Sequence, residues 1–235
     1  MKTKLNRIDL KAAQYKVRLV VFDCDGTLVD SQHAIIAAMR QAFADNSLRL
    51  PEPEAVRQIV GLSLLKAMEA LEPDAMPEQH RALERDYRRA FHLARQREEH
   101  QEQLYPGAAE TVAALDAAGY LLGVATGKGR LGLRRTLERH GLDGHFVTLQ
   151  TADDAPSKPH PGMLERAMAE AGAAPDETVL VGDTVFDIEM AVNAGVASIG
   201  VRWGYHDAAL LSAAGARTIV ESFDALPGAI ASLVS

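Results

Sequence analysis

Short runs of apolar, mostly β-branched residues recur along the chain and predict the strands of a sheet. Five runs have this character, and the first three end at the polar residue given in parentheses: Val17 to Phe22 (Asp23), Leu121 to Ala125 (Thr126), Thr178 to Gly182 (Asp183), Ala197 to Val201 and Arg217 to Val220. Runs of this kind, separated by helical segments, are typical of a buried parallel sheet. Because open α/β sheets place their chemistry at the carboxyl ends of the strands, we expect the three polar residues to face one crevice.

The segments between these strands have the apolar spacing of helices. Three predicted helices are each followed by a glycine that ends them: Pro106 to Ala118, Leu131 to His140 and Pro161 to Ala171. Strands and helices that alternate in this way predict an α/β fold with a Rossmann-like parallel sheet as its core.

Residues 31–103 differ from the rest because they contain no strand-like run. Their pattern, interrupted by prolines, predicts four helices: Ala34 to Ala44, Pro53 to Val60, Leu64 to Leu71 and Glu78 to Glu102. The mixed charges of Arg81 to Glu102 predict a solvated helix face. We interpret the segment as an inserted all-helical cap domain. The predicted organisation is an N-terminal extension (1–17), a core (18–30 and 104–235) and a cap (31–103).

Composition excludes several classes of protein. The 235 residues carry a net charge of −7, which weighs against nucleic acid as a partner. No run of about 18 uncharged apolar residues predicts a membrane-spanning helix, and Met1 to Lys16 lack the apolar stretch of a secretory signal. The single cysteine, Cys24, excludes an internal disulfide framework. We therefore expect a cytoplasmic protein with neither nucleic acid nor membrane as a partner.

The sequence Asp23-Cys24-Asp25-Gly26-Thr27 directly follows the first predicted strand. Two carboxylates at positions i and i+2 point the same way, and Gly26 allows the backbone to turn sharply. One carboxylate can attack a substrate while the other transfers protons. Alone, the motif is equally compatible with an Asp-Gly turn that ends a buried strand.

A second acidic pair follows the Thr178 strand. Asp183 ends that strand, and Asp187 lies four residues later in the first turn of a predicted helix. Together with Asp23 and a backbone carbonyl, these carboxylates form the oxygen-rich site that Mg²⁺ prefers. Asp187 alone is also explained by the preference for acidic residues at helix N-termini.

Two further residues complete the candidate site. Thr126 precedes Gly127 and Lys128 at a strand end, where a hydroxyl and backbone N–H groups suit a phosphate oxygen. Lys158 is followed by Pro159 in a stiff loop, where its ammonium can neutralise charge between a phosphate and a carboxylate. Each residue alone is compatible with an ordinary turn or surface position.

Together and in this order, the four motifs resemble those of the haloacid dehalogenase superfamily. The resemblance covers about residues 18–230 and is greatest to the phosphatase branch with a helical cap after the first strand. It implies that Asp23 attacks phosphorus and becomes an aspartyl phosphate. It implies that Asp25 protonates the leaving alcohol and then deprotonates the attacking water.

The resemblance also implies a ligand set. Mg²⁺ would be held by Asp23, the backbone carbonyl of Asp25 and Asp183, with Asp187 as a further ligand or an orienting group. Thr126 and Lys158 would stabilise charge on the phosphoryl group. The ligand set and the catalytic set together are Asp23, Asp25, Thr126, Lys158, Asp183 and Asp187.

Alternatives within the superfamily stay open to different degrees. Dehalogenases and phosphonoacetaldehyde hydrolases lack the acid at Asp25, and the latter use a cap lysine, for which Lys66 is the one candidate. A sugar phosphomutase of the β-phosphoglucomutase type shares both aspartates, and a non-catalytic phosphate-binding protein would keep the fold alone. Phe22 to Ser31 and Gly61 to Leu65 are similar to phosphoglycolate phosphatases. We therefore expect a small phosphorylated metabolite such as 2-phosphoglycolate as the substrate.

Overall fold

Strands and helices alternate along the computed structural model, which describes residues 18–94 and 102–234. Within these residues the strands are β1 (Leu19–Phe22), β2 (Val29–Asp30), β3 (Gln103–Leu104), β4 (Leu121–Thr126), β5 (Phe146–Thr151), β6 (Thr178–Gly182), β7 (Ala197–Val201) and β8 (Thr218–Val220). The helices are α1 (Gln32–Asp45), α2 (Pro53–Arg57), α3 (Leu64–Leu71), α4 (Pro77–Ala94), α5 (Ala108–Ala117), α6 (Arg130–Arg139), α7 (Gly162–Ala171), α8 (Val185–Asn193), α9 (Ala208–Ala214) and α10 (Leu226–Leu233).

Six of the strands form one parallel sheet in the order β5-β4-β1-β6-β7-β8. The chain builds one side of the sheet from β1 through β4 and β5, and then the other side from β6 to β8. The strand order therefore reverses at β1, and in open α/β sheets such a reversal opens a crevice at the carboxyl ends of the strands. This confirms the predicted Rossmann-like α/β class.

Both faces of the sheet are buried, which explains the continuous apolar runs. In β1, Val20 and Phe22 join a cluster with α5, α6 and α10, whereas Leu19 and Val21 join a cluster with α7 and α8. All four side chains are fully buried. A strand that buries both faces needs apolar residues at every position and shows no alternation.

Helices α1 to α4 lie between β2 and β3 and have a hydrophobic cluster of their own. That cluster includes Met39, Phe43, Val56 and Leu83, and Tyr205 from the loop after β7 reaches into it. β2 and β3 pair as a short antiparallel ribbon, so the chain leaves for these helices and returns from them at one place. No helix within residues 18–94 and 102–234 has the length and hydropathy needed to cross a bilayer.

The predicted elements recur with small shifts at their ends. All five predicted strands are present, although Val17 and the rest of residues 1–17 lie outside the described residues. The predicted Leu64 to Leu71 helix matches α3, and α1, α5, α6 and α7 lie within three residues of their predicted bounds. The helix predicted from Pro53 to Val60 is shorter, because α2 ends at Arg57 and the chain turns towards Gly61, whose φ is +101°.

Strand β5 was not predicted because its pattern is inverted. Val147 is exposed, whereas the polar residues Thr148 and Gln150 are buried. Thr148 donates a hydrogen bond to Glu170, and the amide nitrogen of Gln150 donates to the Thr148 hydroxyl at 2.8 Å. These partners satisfy the buried polar groups, so the strand forms without the apolar run that identifies the others.

The predicted helix from Glu78 to Glu102 needs correction at its C-terminal end, whereas the arginines of its predicted solvated face are exposed: Arg81, Arg85, Arg88 and Arg89. Helix α4 is described as far as Ala94, residues 95–101 lie outside the described residues, and Glu102 lies directly before β3 and outside any helix. Glu102 is 1 % exposed, and its carboxylate is paired with Lys128. The pattern of mixed charges in the sequence did not reveal that Glu102 is buried. A protein tolerates a buried charge when the charge is paired.

Candidate active site

The carboxyl ends of β1, β4 and β6 lie side by side and carry three of the predicted site residues. The N–H of Asp23 donates to the carbonyl of Val181 at 2.9 Å, which continues the β1–β6 pairing by one residue. Thr126 ends β4 on the opposite side of β1, and Asp183 follows β6. The expectation that these three polar residues share one edge of the sheet is met by the topology.

Asp23 is held in a fixed orientation but keeps one oxygen available. Its side chain is 1 % exposed, and Oδ1 accepts a hydrogen bond from the N–H of Cys24 at 2.6 Å. Oδ2 lies 2.9 Å from Nζ of Lys158 in an ion pair, but without a donor aligned for a hydrogen bond. A buried carboxylate oxygen in that position suits either attack on an electrophile or binding to a cation.

Asp183 is positioned by two donors from distant parts of the chain. Its Oδ1 accepts from the hydroxyl of Thr27 at 2.7 Å, and its Oδ2 accepts from the N–H of Tyr205 at 3.0 Å. The turn at Gly26 makes this approach possible. Gly26 has a φ of +86°, and a Cβ atom there would lie 2.2 Å from Oδ2 of Asp183.

We expect Gly26→Ala to lower both stability and activity, because the new methyl group would displace the Asp183 carboxylate. The matched control is Gly119→Ala, since Gly119 has a similar φ of +84° with nothing within 4 Å of the added Cβ. That control costs only the left-handed conformation, about 1–2 kcal/mol. Urea denaturation and initial rates would test this, and equal losses in the two variants would contradict it.

Lys158 connects Asp23 to Asp187. Its Nζ donates to Oδ1 of Asp187 at 2.6 Å, and the side chain is fully buried. Oδ2 of Asp187 accepts from the N–H of Thr184 at 3.1 Å and from its hydroxyl at 2.7 Å, in a capping box at the start of α8. Both oxygens of Asp187 therefore accept hydrogen bonds. Its position in a helix cap agrees with the alternative to metal binding that the sequence offered for this residue.

The three carboxylates form a cluster that carries excess negative charge. One oxygen each of Asp23, Asp183 and Asp187 lies within 4.8 Å of the others. Burial raises the pKa of Asp23 to about 7, although Lys158 acts to lower it. Burial, and then the charge of Asp187, raise the pKa of Asp183 well above its ordinary value. Three carboxylates against one ammonium leave two negative charges uncompensated, which a divalent cation would neutralise.

The residues present fit Mg²⁺. The donor set consists of carboxylate oxygens, which are the ligands that a hard cation prefers. Oδ2 of Asp23 is buried without an aligned donor, as expected of an atom whose natural partner is a cation. No cysteine or histidine belongs to the cluster within the described residues.

Asp25 is fixed by a network that was not predicted. Its Oδ1 accepts from the Ser31 hydroxyl at 2.6 Å and lies 3.0 Å from Nζ of Lys128. The same Nζ lies 2.6 Å from Glu102, whose other oxygen accepts from the Thr136 hydroxyl at 2.9 Å. Lys128 lies two residues after the predicted site residue Thr126, and this position could have identified it from the sequence. The contribution of Ser31 and Glu102 depends on tertiary contacts that the sequence pattern does not show.

A cavity of about 740 Å³ opens above these residues, between the sheet edge and helices α1 to α4. Asp23, Asp25 and Thr126 lie among the residues that line it. The Thr126 hydroxyl accepts from the N–H of Lys128 at 3.2 Å. The following Gly127 packs directly on the carbonyl of Leu62, 2.4 Å from where a Cβ would lie, so any larger residue would separate the two loops.

Cys24 and Lys66 lie away from this chemistry. Cys24 is fully buried in the cluster that contains Val20 and Phe22, as predicted for a filler residue. The side chain of Lys66 is 59 % exposed and is paired with Glu69 at 2.7 Å. It does not line the cavity, which weakens the alternative of a Schiff-base lysine.

We therefore expect Lys66→Ala to keep the full catalytic rate, because the side chain is exposed to solvent and contributes only a surface ion pair. Borohydride added during turnover should likewise leave no substrate adduct on Lys66. An adduct there, or a rate reduced by tenfold or more in the variant, would restore the Schiff-base alternative.

Carboxylates, a lysine and a hydroxyl around one cavity form the arrangement of an enzyme that acts on an anionic substrate. The haloacid dehalogenase-like hydrolase family model matches residues 20–201, and the chain belongs to this family. The resemblance inferred from the four motifs is thereby confirmed.

Individual relatives support the same assignment. The chain is 39% identical to the "Probable phosphatase IndB" of Dickeya dadantii, over 92% of this chain and 94% of that protein. It is 33% identical to the "Phosphoglycolate phosphatase" of Vibrio vulnificus, over 85% of this chain and 90% of that one. The crystal structure of a hydrolase from Pseudomonas syringae superposes with a TM-score of 0.83 at 26% identity, covering 93% of this chain and all (100%) of that one.

Proposed function

We propose that the protein is a Mg²⁺-dependent phosphatase that hydrolyses a small phosphate monoester through an aspartyl phosphate on Asp23. The observation that carries the proposal is the buried cluster of Asp23, Asp183 and Asp187 with Lys158, in which Asp23 lines a cavity together with Asp25 and Thr126. Phosphatase relatives at 33–39% identity support the reaction class.

In this proposal Asp23, the backbone carbonyl of Asp25 and Asp183 hold Mg²⁺. Asp187 acts as the orienting group, because both of its oxygens already accept hydrogen bonds from Lys158 and Thr184. When bound, Mg²⁺ supplies positive charge that reduces the repulsion between the nucleophile and the phosphate dianion.

Asp23 attacks phosphorus in line, so that a bond forms between its carboxylate oxygen and phosphorus while the bond to the leaving oxygen breaks. Asp25 donates a proton to the leaving oxygen, which departs as an alcohol. Oδ1 of Asp25 is occupied by Ser31 and Lys128, so we assign the proton to Oδ2. Thr126 and Lys158 stabilise the charge on the phosphoryl oxygens, where most of the catalysis of phosphoryl transfer arises.

In the second half of the reaction, water attacks the phosphorus of the aspartyl phosphate. Asp25, now a carboxylate, takes a proton from that water. The bond between phosphorus and Asp23 breaks, inorganic phosphate is released, and both aspartates return to their starting states.

The domain division is part of the proposal. We propose that helices α1 to α4, within residues 31–103, form a cap that covers the site of the core (18–30 and 104–235) and excludes water during phosphoryl transfer. The separate hydrophobic cluster of these helices supports a unit of its own. Residues 1–17 have no assigned role, and the cytoplasmic location stays a prediction.

Two alternatives use the same site. A sugar phosphomutase would return the phosphoryl group to sugar instead of to water, and a non-catalytic binding protein would not turn over. All six predicted site residues are present, which favours an enzyme. Among phosphatase substrates, 2-phosphoglycolate is one candidate, because a relative carries the name phosphoglycolate phosphatase.

The test is phosphate release from a panel of esters, with Mg²⁺ and with EDTA. The panel contains 2-phosphoglycolate, alkyl and sugar phosphates, nucleotides and pyrophosphate. We expect Mg²⁺-dependent release that EDTA abolishes. Conversion of a sugar 1-phosphate to its 6-phosphate without net release would identify the phosphomutase, and no reaction of any kind would favour the binding protein.

A further inference from the structure

The charges at the floor of the cavity limit which leaving group the phosphate ester can carry. The two deep ammonium groups are each held by two carboxylates: Lys158 by Asp23 and Asp187, and Lys128 by Asp25 and Glu102. The other basic residues of the lining are exposed: Arg88, which is paired with Glu84 at 2.8 Å, His92 and Arg135. A leaving group that has its own carboxylate would place this negative charge beside Asp25. Both lysines there are already paired with carboxylates of the protein.

The walls above the floor are apolar. On the side of helices α1 to α4, the lining includes Ile35, Met39 and Val60, each at most 7 % exposed. Tyr87 and Phe91 on α4 stack with their ring centroids 5.6 Å apart, and both line the cavity. An apolar group that enters this space is removed from water and gains affinity in proportion to the area it buries.

The size of the cavity fits the same occupant. Its volume of about 740 Å³ lies within the range of sites that hold drug-sized molecules, about 300–1,000 Å³. A leaving group as small as glycolate would fill only a small part of that volume.

We infer that the site selects phosphate monoesters of uncharged alcohols with an apolar body, which packs on the wall formed by Met39, Val60, Tyr87 and Phe91. The inference rests on the proposed phosphatase function and defines its substrate class. It places 2-phosphoglycolate below neutral esters of larger alcohols.

Two matched pairs of substrates test the inference. Ethyl phosphate has a methyl group where 2-phosphoglycolate has a carboxylate, so the pair isolates the charge. Hexyl phosphate and ethyl phosphate have the same kind of leaving oxygen, so that pair isolates the apolar body. One buried methylene contributes about fourfold. We expect kcat/KM to be at least about tenfold higher for hexyl than for ethyl phosphate, and ethyl phosphate to match or exceed 2-phosphoglycolate.

A variant locates the effect on the wall. Phe91→Ala should lower kcat/KM for hexyl phosphate at least fivefold and should affect ethyl phosphate much less, so that the preference shrinks. The matched control is Leu93→Ala on the same helix, because Leu93 is 53 % exposed and does not line the cavity. This control should leave the ratio of the two rates unchanged.

The outcomes separate the inference from the function on which it rests. A tenfold advantage of 2-phosphoglycolate over ethyl phosphate, or equal rates for ethyl and hexyl phosphate, would overturn the substrate class while Mg²⁺-dependent turnover still supports a phosphatase. A hexyl preference that Phe91→Ala leaves intact would overturn the assigned wall. Hydrolysis of none of the three esters would overturn the substrate class, and the phosphatase function would be overturned with it only if no other member of the panel released phosphate.

Discussion

Replacing Asp23 with asparagine should lower kcat by at least about 10³-fold, because the amide cannot attack phosphorus. The fold should persist, since the side chains have the same shape and the change removes one of three clustered negative charges. Phosphate release under saturating substrate measures the loss, and circular dichroism with thermal melting measures the fold.

The control for this prediction is Asp143→Asn, which makes the same chemical change at an exposed position. It should behave as the wild type does. A rate for Asp23→Asn within tenfold of the wild-type rate, in a sample checked by mass spectrometry for deamidation back to aspartate, would contradict the assigned nucleophile.

Replacing Lys158 with methionine should give the largest loss of stability. Its ammonium is fully buried between the carboxylates of Asp23 and Asp187, and removing one partner of a buried charge pair costs about 3–5 kcal/mol. Burial acts to lower the pKa of Lys158, but Asp187 and then Asp23 outweigh it, so the side chain is charged in the folded protein. Activity should also be lost, because no ammonium then faces the phosphoryl group.

Urea denaturation in EDTA, compared with denaturation in excess Mg²⁺, measures this loss. We expect Mg²⁺ to restore part of the stability, because a divalent cation bound only by the folded state compensates the remaining carboxylates. Lys66→Met is the control, since an exposed ion pair contributes at most about 1 kcal/mol. Equal stability of the two variants in EDTA would contradict the role given to Lys158.

The site residues that could be predicted from the sequence pattern are those that directly follow apolar strands. Asp23, Thr126 and Asp183 each end such a run, and parallel strands align their carboxyl ends at one edge. Lys158 needed the resemblance, because its contact with Asp23 spans more than a hundred residues of chain and leaves no local pattern.

What the sequence did not predict depends on tertiary contacts. Ser31 and Glu102 reach Asp25 and Lys128 from the two ends of the helical segment, and polar residues in such places look like ordinary surface positions. Strand β5 was not recognised because its polar residues Thr148 and Gln150 are buried and hydrogen-bonded to each other, whereas Val147 is exposed. In both cases buried polar groups are stabilised by partners that the residue pattern does not reveal.

Trapping the covalent intermediate tests whether Asp23 is the nucleophile. Acid quenching during steady-state turnover, followed by borohydride reduction and peptide mass spectrometry, converts an aspartyl phosphate to homoserine at its own position. We expect homoserine at position 23, formed only with substrate and Mg²⁺ present. Phosphate release without modification of Asp23, or with modification at another residue, would contradict this assignment.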